Sequence, residues 1–268
     1  MEKISMLGTG SAMVTKCFNT CFTVSNDEEY LLVDSGGGNT ILSNLEKLNI
    51  NLTNIHNMFI SHNHSDHILG SVWIIRAICH NILTKGTYEG NFNIYCHERS
   101  IKAIRDISSY VLQGKFLKLF DNRIIFHSIK DGDEATILGR KTIFFDIHST
   151  KELQHGFTTE LCNGKKLTFL GDEPYRDGIK DYCIDVDYLM HEAFCSYADR
   201  DIFKPYEKHH ATSKDACINA EKLNVKNIIL YHAEDKNLST RKDRYTSEGR
   251  EVFSGNIYVP DDLDEILL

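Results

Sequence analysis

The sequence predicts a mixed α/β fold in which two packed sheets carry helices on their outer sides, and three observations lead to it. β-Branched and apolar residues recur at the strand period through most of the chain, helical periodicities are interspersed among them, and the stretch from 120 to 170 reads as strands alone. Strand–helix pairs on both sides of a strand-only middle bury their apolar faces when two sheets pack together with the helices outside.

In chain order, strands are expected near 3–8, 18–25, 29–34, 57–61, 92–96, 123–128, 141–147, 156–162, 166–170, 186–191, 226–231 and 256–259. Helices are expected near 39–48, 66–80, 98–112, 212–223 and 240–253. The opening segment runs from a strand into Gly8-Thr9-Gly10-Ser11, which has neither dinucleotide-binding nor P-loop spacing and reads as a tight turn. Thr212 and Asp215 form a capping pattern that starts a helix just after His210. No Pro/Ser-rich linker, low-complexity tract or short repeat interrupts the chain, so a single domain over 1–268 is expected.

With 41% hydrophobic and 25% charged residues, 17 Gly and only 3 Pro, the composition excludes disorder, collagen and coiled coil. A formal net charge of −8 argues against a protein coated in cations for generic nucleic-acid binding. The basic stretches Lys115 to Lys118, Lys204 to His210 and Lys236 to Arg244 read as solvated faces. No basic leader precedes a long apolar stretch, and Ile68 to Cys79, broken by Arg76, is shorter than the roughly 20 residues of a membrane span. A soluble, cytoplasmic protein without a membrane partner is expected, its eight scattered cysteines being reduced thiols.

The chemistry concentrates in Ser61-His62-Asn63-His64-Ser65-Asp66-His67, where a strand gives way to a helix. In an extended loop, His62 and His64 point the same way, while Asp66 and His67 open the helix with Ser65 as its N-cap. Imidazole and carboxylate donors suit zinc best, and manganese or iron also fit. Six residues do not close two metal sites, and further donors stand at the ends of later strands: His148, Asp172 and His232.

On these residues the chain resembles the metallo-β-lactamase superfamily over nearly its whole length, the H-x-H-x-D-H pattern being the specific mark. The resemblance implies an αββα sandwich with two divalent metals at the edge of the sheets. It implies His62, His64 and His148 on the first metal, Asp66, His67 and His232 on the second, and Asp172 bridging, with Asp34 orienting a ligand histidine. Within the superfamily the chain resembles the tRNase Z branch of phosphodiesterases. His191-Glu192-Ala193 is similar to that branch's H-E-A motif, and His210-Ala211-Thr212 to its H-S-T motif, with Ala in place of Ser.

The branch likeness implies a Glu192–His210 proton relay near the leaving group and a homodimer, and in the hydrolysis expected on two metals Asp66 and Asp172 fix and deprotonate the water nucleophile. Typical bacterial members carry a long basic arm that grips the tRNA elbow, between the positions matching His148 and Asp172. Residues 149–171 leave room there for a strand, a turn and a strand. The expected substrate is therefore a smaller phosphodiester, such as a cyclic nucleotide, a dinucleotide or an RNA end. The alternatives are a lactonase or thioesterase on the same metals, and a non-catalytic metal-stabilised binding module, which a full donor set disfavours.

Overall fold

Strands form wherever the chain alternates or sustains apolar residues between turn signals. The computed structural model of the chain describes residues 2–27 and 29–268. In chain order the strands are β1 (Lys3–Gly8), β2 (Cys21–Ser25), β3 (Tyr30–Val33), β4 (Ile55–Phe59), β5 (Phe92–Cys96), β6 (Ile124–Ser128), β7 (Glu134–Ile137), β8 (Arg140–Asp146), β9 (His155–Glu160), β10 (Lys166–Phe169), β11 (Tyr188–Glu192), β12 (Asn227–Tyr231), β13 (Asn256–Tyr258) and β14 (Glu265–Leu267). The α-helices are α1 (Thr40–Lys47), α2 (Ser65–Ile68), α3 (Gly70–His80), α4 (Glu98–Val111), α5 (Gly114–Leu117), α6 (Lys180–Cys183), α7 (Arg200–Phe203), α8 (Ser213–Lys222) and α9 (Leu238–Arg250). The chain divides into two compact units, each with its own seven-stranded sheet.

The first unit comprises Met1–Gly8, Phe18–Ile129 and Asp262–Leu268. Its sheet runs β14-β1-β2-β3-β4-β5-β6, antiparallel from β14 to β3 and parallel from β3 to β6. Parallel strands need crossovers, and α1, α3 and α4 supply them. Ile41 and Leu45 of α1, Ile74, Ile75 and Ile78 of α3 and Ile104 of α4 share one buried cluster with Leu32, Met58, Phe92 and Ile94 of the sheet. Packing of this kind fixes the ends of β3 and β4, from which the first set of candidate ligands projects.

The second unit comprises Thr9–Cys17 and Lys130–Asp261. Its sheet runs β13-β12-β11-β10-β9-β8-β7, antiparallel from β7 to β10 and parallel from β10 to β13. Ala216, Cys217 and Ala220 of α8 and Tyr245 of α9 pack with Phe145, Leu189, Ile228 and Leu230 of the sheet. The small residues let α8 lie close to the strands. A full capping box, Thr212 with Asp215, starts α8 as expected. Residues 149–171 hold the β9–β10 hairpin and nothing longer.

The expected helix 66–80 is instead two pieces, α2 and α3, and Ser65 is the first residue of α2 rather than its cap; His64 takes the N-cap position without a side-chain hydrogen bond. β7 and β14 were not expected, since one is a polar edge strand of four residues and the other a three-residue segment that completes its pairing on β1. Among the described residues no helix is long and apolar enough to cross a membrane.

Candidate functional site

In the first unit, β3 and β4 run parallel, so both release their chains at the same sheet edge, where open α/β sheets form sites. Asp34 leaves β3 in the left-handed region, at φ +53°, and is fully buried. Its carboxylate accepts hydrogen bonds from the Ser61 backbone N–H (2.7 Å), the Ser61 hydroxyl (2.7 Å) and His67 Nδ1 (2.8 Å). Because the Ser61 hydroxyl donates to Asp34, the 2.9 Å contact between Ser61 Oγ and His62 Nδ1 makes His62 the donor there. Both His62 and His67 thus keep a proton on Nδ1 and turn Nε2 outward, the tautomer that a metal-binding imidazole needs.

His62 Nε2 lies 3.0 Å from His64 Nδ1, and His67 Nε2 lies 3.3 Å from Asp66 Oδ2. Burial works against a charge on His67, yet Asp66 and Asp34 together hold its pKa well above the ordinary histidine value. The backbone locks this arrangement, since Ser35 N–H donates to the His67 carbonyl (2.9 Å) and Gly70 N–H to the Gly36 carbonyl (2.9 Å). A Cβ at Gly70 would lie 1.9 Å from the Ser35 carbonyl oxygen, so glycine is required for this close approach.

In the second unit, Asp172, His210 and His232 bring ligand atoms within 4.8 Å of one another; Asp172 and His232 are buried and His210 nearly so. Asp172 follows β10 through Gly171 (φ +66°), and His232 follows β12 at φ +60°. Gln154 fixes Asp172 by donating from Nε2 to Oδ1 at 2.5 Å and accepting from the Asp172 N–H at 3.3 Å. His232 Nε2 is 3.6 Å from Asp172 Oδ2. His148 takes no place in this group: at φ +56° its ring lies exposed against Asp146 and Gly178, Nδ1 being 3.8 Å from Asp146 Oδ2.

Glu192 ends β11 fully buried, accepts the Ala211 N–H on Oε1, and has Oε2 3.4 Å from His210 Nδ1. The His210 ring stacks on Phe194 with centroids 5.0 Å apart and planes at 9°. His191 points the other way, donating from Nδ1 to the Glu192 carbonyl (2.6 Å) and accepting the Tyr175 N–H on Nε2 (3.1 Å). Burial pushes its pKa down, and it is a structural member of the motif. Sequence reading missed Ser61 and Gln154, whose roles depend on partners 27 and 18 residues away.

The donors fit a divalent cation. Oriented imidazoles with outward Nε2 atoms, an adjacent carboxylate and a second cluster of one carboxylate with two imidazoles form the oxygen-and-nitrogen set such ions prefer. Over its whole length the chain is similar to YhfI from Bacillus subtilis, a metallo-β-lactamase fold protein, with a TM-score of 0.77 at 17% identity and full coverage of both chains. It is similar to the short form of human tRNase Z, with a TM-score of 0.76 at 18% identity over 99% of this chain and 98% of that one. By sequence it is 24% identical to the ribonuclease Z of Thermococcus sibiricus over 305 aligned positions, covering 100% of this chain and 97% of that protein.

Sheet order and these likenesses together define an α/β protein of the metallo-β-lactamase fold. A family model matches residues 2–251, and the chain belongs to that family, the Anti-Pycsar protein Apyc1 family.

Proposed function

We propose that the chain is a dinuclear metal-dependent phosphodiesterase that uses water to cleave a small phosphodiester, such as a cyclic nucleotide, a dinucleotide or an RNA end. The observation that carries the proposal is the buried Glu192–His210 pair, a carboxylate facing an imidazole at 3.4 Å in the same unit as the Asp172–His232 donors. The residues that would hold two divalent ions, zinc in this proposal, are His62, His64, Asp66, His67, His148, Asp172 and His232. The fixed tautomers of His62 and His67 and the clustering of Asp172 and His232 support that assignment; His148, turned toward Asp146, has the least geometric support.

When bound, such ions supply Lewis acidity toward a phosphoryl oxygen and a lower pKa for water. Asp66 and Asp172 orient the attacking water and take its proton. As the new P–O bond forms, the bond to the leaving oxygen breaks in line with it. His210 delivers a proton from Nε2 to that oxygen, while Glu192 beside Nδ1 stabilises the imidazolium beforehand. A ribose alkoxide leaves poorly without a proton, whereas thioesters and lactones have less need of this pair. The short β9–β10 hairpin supports a substrate smaller than pre-tRNA. A cytoplasmic homodimer completes the proposal.

A substrate panel on metal-loaded protein tests it, with bis-p-nitrophenyl phosphate, cyclic nucleotides, pre-tRNA, a thioester and a lactone side by side. Metal-dependent turnover of the phosphodiesters is expected, with weak or absent pre-tRNA cleavage. Preferential hydrolysis of the thioester or lactone would refute the phosphodiesterase reading.

A further inference from the structure

Next to Asp172, the loop from Ser149 to Gln154 is built around one buried carboxylate. Glu173 is 1% exposed and accepts the Ser149 hydroxyl (2.6 Å), the Thr150 N–H (3.2 Å) and Arg176 Nη2 (3.1 Å). Thr150 Oγ1 is also 3.0 Å from His209 Nδ1. These ties leave Lys151 directed at Asp172, with Nζ 3.3 Å from its carbonyl oxygen and 3.5 Å from Oδ2, and the side chain only 16% exposed.

Holding Asp172 in place does not account for Lys151, because Gln154 already fixes that carboxylate through a shorter hydrogen bond. Nor is the ammonium saturated. It has three donors and, in this structure, two long contacts on one residue. A largely desolvated cation with donor capacity to spare, on a loop anchored beside candidate ligands, suits an anion that arrives with the substrate. A phosphodiester carries one negative charge on its non-bridging oxygens, whereas a thioester or lactone carries none at the reacting group.

We propose that Lys151 is a substrate-binding residue that receives a non-bridging phosphoryl oxygen and so selects anionic phosphodiesters over neutral esters. This deepens the phosphodiesterase reading above and rests on it. Arg176 and His209 act through the loop, as positioning residues.

The test compares wild type, Lys151→Met and Lys151→Arg, all metal-loaded and checked for metal content. Isothermal titration with inorganic phosphate gives a readout independent of turnover, and KM is measured for bis-p-nitrophenyl phosphate and for neutral p-nitrophenyl acetate. Lys151→Met is expected to weaken phosphate binding at least tenfold and to raise KM for the phosphodiester by a similar factor. Metal content and KM for the acetate should stay unchanged, and Lys151→Arg should recover part of the loss. Should the methionine variant not fold, a Lys151→Gln protein takes its place.

Equal phosphate affinity in wild type and variant would overturn the proposal, and so would loss of metal from Lys151→Met, which would make the lysine a support for Asp172. Failure of the function reading looks different. Wild type would then cleave no phosphodiester while Lys151-dependent phosphate binding persisted.

Discussion

Replacing Asp34 by Asn tests how the donors of the first unit are oriented. The backbone at φ +53° accepts Asn almost as readily as Asp, so the change acts through the side chain. Asn keeps one acceptor oxygen, enough for the Ser61 N–H, but puts an NH2 group where Oδ2 met the Ser61 hydroxyl and His67 Nδ1 at 2.7 and 2.8 Å. An NH2 there must donate, so His67 has to accept on Nδ1 and carry its proton on Nε2, the nitrogen needed for a metal. Loss of such an orienting partner typically weakens metal affinity by about 10–100-fold. At about 1.4 kcal/mol per decade this is about 1.4–2.8 kcal/mol of binding free energy. The assay is a zinc titration against a chromophoric chelator, alongside thermal unfolding in excess chelator. A large loss of affinity with a modest change in metal-free stability is expected. Wild-type affinity in Asp34→Asn would refute the tautomer argument and remove His67 as an Nε2 ligand.

Further outcomes follow from the same geometry. Glu192→Gln and His210→Ala should each lower turnover by about 10²–10⁴-fold with metal retained, most for alkoxide leaving groups and least for p-nitrophenolate. Loss of metal, or an equal penalty for both kinds of leaving group, would make the pair structural. Gly70→Ala should destabilise by about 1–3 kcal/mol, because the new Cβ would lie 1.9 Å from the Ser35 carbonyl oxygen; an unchanged melting temperature would count against that rigid contact. His191 has its pKa lowered from 6.5, chiefly by burial, so between the lowered value and 6.5 the unfolded chain binds the proton that the native state refuses. Its contribution to stability is present above about pH 6.5 and lost below it at up to about 1.4 kcal/mol per pH unit. The stability of a His191→Gln variant should fall less steeply with acid, and parallel curves would refute the assignment.

How much was legible depended on whether a signal was local. His62, His64, Asp66 and His67 announce themselves because four donors in six residues have no cheap structural explanation, and the two histidines adjoin as their spacing of two predicts. The capping box at Thr212 was legible for the same reason, since both partners lie within one helical turn. Ser65 was misplaced by one residue because the chain enters α2 through His64, whose extended backbone already serves as cap. β14 was hidden in a three-residue segment that pairs with β1, at the other end of the chain. Ser61, Gln154 and Lys151 could not be found by pattern at all. Each is an ordinary polar residue until the fold supplies Asp34 or Asp172 as its partner.

The backbone explains why strand ends were the right place to look. Asp34 after β3, His148 after β8 and His232 after β12 all have φ between +53° and +60°, a region that costs a non-glycine residue roughly 1–2 kcal/mol. Glycine would remove that cost at any of the three, so the side chain itself has to be what the position requires. Asp34 recovers the cost through three buried hydrogen bonds. His232 has Asp172 3.6 Å away and the His210 ring at 5.3 Å. His148 recovers least, being exposed and held by one 2.7 Å hydrogen bond from its backbone to Asp146. A weakly compensated left-handed histidine at a strand end is the pattern expected where strain is retained for a ligand rather than for the fold. This separates two readings by experiment: in excess chelator His148→Gly should raise stability under either reading, but metal content of the protein purified without chelator should be unchanged if His148 serves only its turn and should fall if His148 is a ligand.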